Sequence, residues 1–113
     1  MTTHRVKRIE EEIRHYVSAL LLFEMTDPDL KGVTVTRAVV TKDLSLARIY
    51  YHLATDAPQE MRERTEQALR RCCGFVRRQL ATRLNMRIVP EIEFFYDETE
   101  EEVARVESLF SKL

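Results

Sequence analysis

The chain has 113 residues, 44% of them hydrophobic and 33% charged, with two glycines, three prolines and a net charge of −1. That length and apolar content fit one globular domain spanning 1–113, with too little Gly and Pro for a flexible linker. No apolar run approaches 18 residues and residues 1–14 lack an apolar h-region, which argues against a membrane span and a secretory signal and for the cytoplasm.

The near-neutral total hides sorted charge. Residues 1–61 carry 8 Lys/Arg against 9 Asp/Glu, residues 62–87 carry 8 against 2, and residues 88–113 carry 2 against 8. Charge sorted this way speaks about partners more than about fold.

In chain order, Thr2 or Thr3 can cap a first helix whose apolar positions are Val6, Ile9, Ile13, Val17 and Leu20. Pro28 disfavours helical dihedrals in Asp27, and Lys31-Gly32 completes a turn. Val33–Val40 is β-branched and reads as a strand, Thr41–Ser45 as a turn, and Leu46–Ala54 as a second strand, so the pair forms an antiparallel hairpin. Asp56 is a plausible cap, and Pro58 falls in the first turn of a helical region that changes direction at Gly74 and continues to about Leu84. Arg87–Asp97 is a third strand, with Pro90 at its start or on a sheet edge, and a last helix starts near Glu98. The order is α-β-β-α-α-β-α, an α+β fold with helices packed on a three-stranded sheet.

The most informative stretch is Leu69–Arg78 (LRRCCGFVRR). At 100° per residue, Arg70, Arg71, Gly74, Arg77 and Arg78 share an arc of roughly 120°. The opposite side, from Met61 and Thr65 through Ala68, Leu69, Cys72, Phe75, Val76 and Leu80, is almost wholly apolar. Across 62–87 only Glu63 and Glu66 are acidic, so most of the stripe's arginines lack a carboxylate one turn away. A guanidinium grips phosphate bidentately and stacks on unpaired bases, which makes RNA the leading partner. A bend after Gly74 would add helix N-terminal N–H groups as an anion site. Secondary RNA candidates are Lys42 in the hairpin turn, Arg37, Arg48, Arg83 and Arg87. Tyr50 and His52 share a strand face with Arg48, where they either pack under a helix or stack on a base.

Catalysis and cofactors find no support. His4, His15 and His52 share no ligand spacing with Cys72 or Cys73, and no phosphate loop, dinucleotide fingerprint or Ser-His-Asp order appears. The chain therefore reads as a non-enzyme with no cofactor and no metal. The adjacent cysteines read as small buried residues. Asp97, Glu98, Glu100, Glu101 and Glu102 read as a solvated first helical turn, with the added hypothesis that this acidic end keeps RNA off one side. The competing class is a protein-interaction module whose basic stripe docks an acidic partner.

Several runs taken in order resemble the ribosome-binding factor A family over nearly the whole chain. They are Arg5-Val6, Asp27-Pro28-Asp29-Leu30, Gly32-Val33-Thr34-Val35-Thr36, Asp43-Leu44-Ser45-Leu46-Ala47, Gly74-Phe75-Val76-Arg77-Arg78, Leu84 through Ile92, and Phe94-Phe95-Tyr96-Asp97. The resemblance implies a type II KH-like fold with a helix-kink-helix of pattern Ala-x-Gly in place of the Gly-x-x-Gly loop. Here Cys72, Cys73 and Gly74 stand at that kink, which brings Cys72 and Gly74 among the RNA-contacting residues. It further implies binding to free or precursor 30S subunits through 16S rRNA, a role in late maturation and rRNA processing, and release before translation. Ribosomal GTPases and other assembly factors would be functional neighbours, and the chain would act as a monomer away from membranes.

Overall fold

The computed structural model describes the backbone of residues 2–111, with side chains for residues 4–99 and 105–111. The proposed caps Thr2 and Thr3, and the acidic side chains of Glu100, Glu101 and Glu102, lie outside the described side chains. Helix α1 spans Thr2–Ala19, and its chain continues through a π-helical turn at Leu20–Glu24 and a 3-10 turn at Pro28–Leu30. Asp27 caps the 3-10 turn by accepting a hydrogen bond from the Asp29 amide at 3.0 Å. Then come strand β1 (Thr34–Val40), strand β2 (Leu46–His52), helix α2 (Gln59–Leu84), strand β3 (Glu91–Tyr96) and helix α3 (Thr99–Ser111). Among the described residues no helix is long and apolar enough to cross a membrane.

The sheet order is β1-β2-β3. β1 and β2 form the antiparallel hairpin, closed by the hydroxyls of Thr41 and Ser45 and the Ser45 amide, all donating to the Asp43 carboxylate. β3 lies parallel to β2, as a strand that follows a crossover helix does, and it starts immediately after the buried Pro90. A register shift between Val35 and Arg37 interrupts the alternation of β1, so Val35, Ala38 and Val40 face inward while Arg37 comes opposite Tyr50.

One face of the sheet is covered, by α1 over β1 and α2 over β3. Ile13, Val17 and Leu20 of the α1 region meet Ala68, Leu69, Cys72, Val76 and Leu80 of α2 above Val35, Val40, Ala47, Ile49 and Ile92. Two partly buried polar contacts tie these layers: the Thr65 hydroxyl donates to the Asp29 carbonyl at 2.8 Å, and the Val40 amide donates to Glu10 Oε2 at 2.8 Å. The other face of the sheet presents Arg37, Val39, Arg48, Glu93 and Phe95 to solvent.

Two expectations change. The region expected to form two helices is one helix, unbroken from Gln59 to Leu84, so the observed order is α-β-β-α-β-α. Gly74 does not adopt a positive φ. A helical glycine costs about 1 kcal/mol, which is too little to interrupt a helix held by buried side chains on both sides of it. Arg83, which falls on the apolar side of the wheel, needs no bend to explain it: its guanidinium lies 5.4 Å from the centre of the Tyr16 ring on α1. The start of α2 also differs. Pro58 occupies the cap position without a side-chain cap, and Asp56 is outside the helix. At the far end Asn85, in the left-handed conformation with φ 51°, stops it.

Candidate nucleic-acid interface

The buried residues of α2 are Thr65, Ala68, Leu69, Cys72, Val76 and Leu80, which places the arginine stripe on the outer face. There Arg70, Arg71, Gly74 and Arg78 are exposed. Arg70 pairs with Glu66 one turn back at 2.8 Å, and Arg71 approaches Asp27 at 3.6 Å. Such exposed pairs contribute roughly 0–1 kcal/mol, so a phosphate can replace the carboxylate at little cost. Arg78 has no carboxylate partner among the described residues. Its guanidinium lies back over the glycine, where a Cβ on Gly74 would come within 3.4 Å of Nη1. Glycine therefore leaves the centre of the stripe low, with cationic side chains around it.

Two of the residues expected at this surface have other positions or duties. Arg77 is directed toward the segment ahead of β3: Nη2 donates to the Val89 carbonyl at 3.0 Å, and Nη1 pairs with Glu91 at 3.2 Å. It fastens α2 to the sheet edge. Cys72 is buried on the opposite side of α2 from the stripe and is out of reach of RNA. Burial pushes its thiol up to about 11, and Sγ donates to the Leu69 carbonyl at 3.4 Å, so it is a protonated core residue at neutral pH. The anion site expected after Gly74 is absent because the helix is unbroken there and its amides stay within its own hydrogen bonding.

The secondary candidates fall on two other surfaces. Arg37 and Arg48 stand on the open sheet face. The Arg37 guanidinium sits 4.0 Å from the centre of the Tyr50 ring and 3.6 Å from Asp97, and Tyr50 lies 5.8 Å from Phe95. Tyr50 is thus half buried beneath an arginine and beside an aromatic ring, while His52 is buried with its ring 5.7 Å from Tyr96. Lys42 and Arg87 belong to the end of the molecule where the hairpin turn meets the α2–β3 connection. Arg5 and Arg8 join them there, and they were not among the site residues expected from the sequence. Their spacing of three on the first turns of α1 was the available signal, masked by the acids that follow. Among the described residues no group of three His, Cys, Asp or Glu side chains could hold a metal ion.

Comparison with known proteins agrees with this architecture. A family model described as ribosome-binding factor A matches residues 5–110. A ribosome-binding factor A from Limosilactobacillus fermentum is 40% identical over 113 residues, covering 96% of this chain and 90% of its own. One from Lacticaseibacillus casei is 36% identical over 110 residues, covering 97% and 93%. Among solved structures, a Thermotoga maritima protein described as a ribosome-binding factor A aligns with a TM-score of 0.68 at 32% identity, over 80% of this chain and 85% of its own. A Thermus thermophilus ribosome-binding factor A, fitted as a homology model into a cryo-electron microscopy map of its complex with the 30S subunit, aligns with a TM-score of 0.64 at 23% identity, over 80% and 93%. The type II KH-like fold is consistent with these neighbours. With a family model spanning almost its whole length and relatives of this identity, the chain belongs to the ribosome-binding factor A family.

Proposed function

We propose that this chain binds free or precursor 30S ribosomal subunits through 16S rRNA, with the outer face of α2 as its principal contact. The observation that carries this is the run of exposed Arg70, Arg71 and Arg78 around Gly74 on the side of α2 turned away from the core. The 30S complex of the Thermus thermophilus relative supports the same partner for this chain.

The role is late maturation of the small subunit and processing of 16S rRNA, with release before translation. The factor acts as a cytoplasmic monomer without chemistry of its own, alongside ribosomal GTPases and other assembly factors. A binder of this kind moves an RNA folding equilibrium only by its differential affinity for two conformations. The stripe contributes charge, the open backbone at Gly74 contributes shape, and Arg37 with Arg48 on the sheet face and Lys42, Arg83 and Arg87 toward the hairpin end extend the contact.

Crosslinking of the purified protein to purified 30S particles, with both ends of each crosslink mapped, tests this reading. The expected result is crosslinks from residues 70–78 to a compact region of 16S rRNA. Crosslinks confined to ribosomal proteins, with co-sedimentation that survives RNA digestion, would instead establish a protein-docking module.

A further inference from the structure

At the hairpin end of the molecule, α1, the β1–β2 turn and the α2–β3 connection enclose a cleft of about 500 Å³. Its apolar wall comprises Ile9 from α1, Leu44 from the turn, and Leu84, Met86 and Ile88 from the end of α2 and beyond. Arg5, Arg8 and Arg87 line it as well, and Lys42 joins Arg5 and Leu44 on the adjoining surface.

The charges sort into those already engaged and those not. Arg8 pairs with Glu12 at 3.7 Å. The Asp43 carboxylate accepts hydrogen bonds from the Thr41 and Ser45 hydroxyls, at 2.8 and 2.7 Å, and is thereby bound into the turn. Arg5, Lys42 and Arg87 are exposed and have no carboxylate partner among the described residues. Three cations without an ion-pair partner among the described residues, brought from three separate segments, therefore line this hollow, beside the carboxylates of Glu12 and Asp43. The two non-glycine residues with positive φ among the described residues, Leu44 at 61° and Asn85 at 51°, both line this cleft. Leucine tolerates that conformation poorly, and here it is held while its side chain packs against the core.

A hollow of this size fits a small organic group. One with apolar walls, an amide side chain (Asn85) and unpaired guanidinium groups at its rim matches a base flanked by phosphates. We propose that this cleft seats one unpaired nucleotide of an RNA strand, its base against Ile9, Leu44 and Leu84 and its flanking phosphates on Arg5, Arg87 and Lys42. The proposal rests on the RNA-binding reading of α2 and extends it. Arg71 and Leu84 are separated by about 20 Å along that helix, so a strand laid along the stripe toward its C-terminus arrives at the cleft. The stripe then supplies affinity that is indifferent to base identity, and the cleft is where a base is read.

The test uses the full chain and a single-stranded RNA of about eight nucleotides carrying one 4-thiouridine, placed in turn at each position. In the parent protein, crosslinks are expected both around Gly74 and at Met86–Ile88. The double variant R5A/R87A is expected to lose the Met86–Ile88 crosslinks, retain those around Gly74, and bind about tenfold more weakly, with an unchanged thermal midpoint because neither arginine holds an ion pair among the described residues. R87E provides the same readout should the double variant fail to fold. The triple variant R70A/R71A/R78A separates the two readings. If it binds like the parent while R5A/R87A does not, the stripe assignment fails and the cleft stands. An R5A/R87A affinity within twofold of the parent, with crosslinks unchanged, overturns the cleft. So does adenosine monophosphate displacing the RNA at concentrations equal to those of the RNA itself, which would make this a site for free nucleotides.

Discussion

Asp97, at the end of β3, shows how one side chain can serve both the fold and the surface. It accepts hydrogen bonds from the Thr99 amide at 3.0 Å and the Thr36 hydroxyl at 2.7 Å, and Arg37 stands 3.6 Å away. Thr99, then Thr36, with a smaller contribution from Arg37, hold its carboxyl down at about 2. A folded-state value below the unfolded one means that the stabilisation is fully present above about pH 4 and is lost as the pH falls through about 2. Its size is roughly 2 kcal/mol. Urea unfolding of the parent and D97N should therefore differ by about that amount at pH 7 and converge near pH 2. A difference that persisted at pH 2 would show that the contribution is packing and not charge. The same residue keeps Arg37 over Tyr50, so the acid-sensitive anchor also orders one of the cations on the open sheet face. The contact with Thr99 is local in sequence, but nothing near Asp97 discloses the one with Thr36, which lies 61 residues away.

At the scale of the element, α2 is decided by summed burial and not by its one glycine. Leu69, Cys72, Val76 and Leu80 bracket Gly74 and are buried, and both cysteine thiols donate to the Leu69 carbonyl. G74A should accordingly stabilise the protein by up to about 1 kcal/mol. The nearest group a new Cβ would meet is the movable end of Arg78, at 3.4 Å. A rise in thermal midpoint checks this, whereas a fall would mean that the free protein draws on glycine's freedom to bend. The strands were legible because Val33–Val40 is a β-branched run and apolar residues alternate in Leu46–Ala54; the third strand, read from Arg87, starts only at Glu91, after Pro90. The position of the cation stripe on α2 was legible from its 3.6-residue period. What could not be read were the features that depend on partners distant in sequence. Arg77 looks like part of the stripe until Val89 and Glu91 fold back against it. The bulge that puts Arg37 opposite Tyr50 is set by pairing between strands. The convergence of Arg5, Arg87 and Lys42 requires the whole chain to close.

Across the whole molecule, the charge sorted along the sequence concentrates on α2. The basic stretch 62–87 supplies the outer face of α2 and Arg87 at the cleft, while the acidic stretch 88–113 contributes β3, which lies beneath α2, and α3. A protein of net charge −1 can therefore still present a concentrated cationic surface to RNA. Phosphate contacts release counterions, so RNA binding through these arginines carries a steep dependence on salt. Arg77 is left in place for this purpose because its loss would damage the junction between α2 and β3. The most direct measurement is the salt dependence of affinity for purified 30S subunits, compared between the parent chain and R70A/R71A/R78A. Three lost phosphate contacts should reduce the magnitude of the slope of log K against log salt by roughly 2 to 3 units and weaken binding most at low salt. An unchanged slope and affinity in a correctly folded variant would contradict the assignment of α2 as the RNA-binding face.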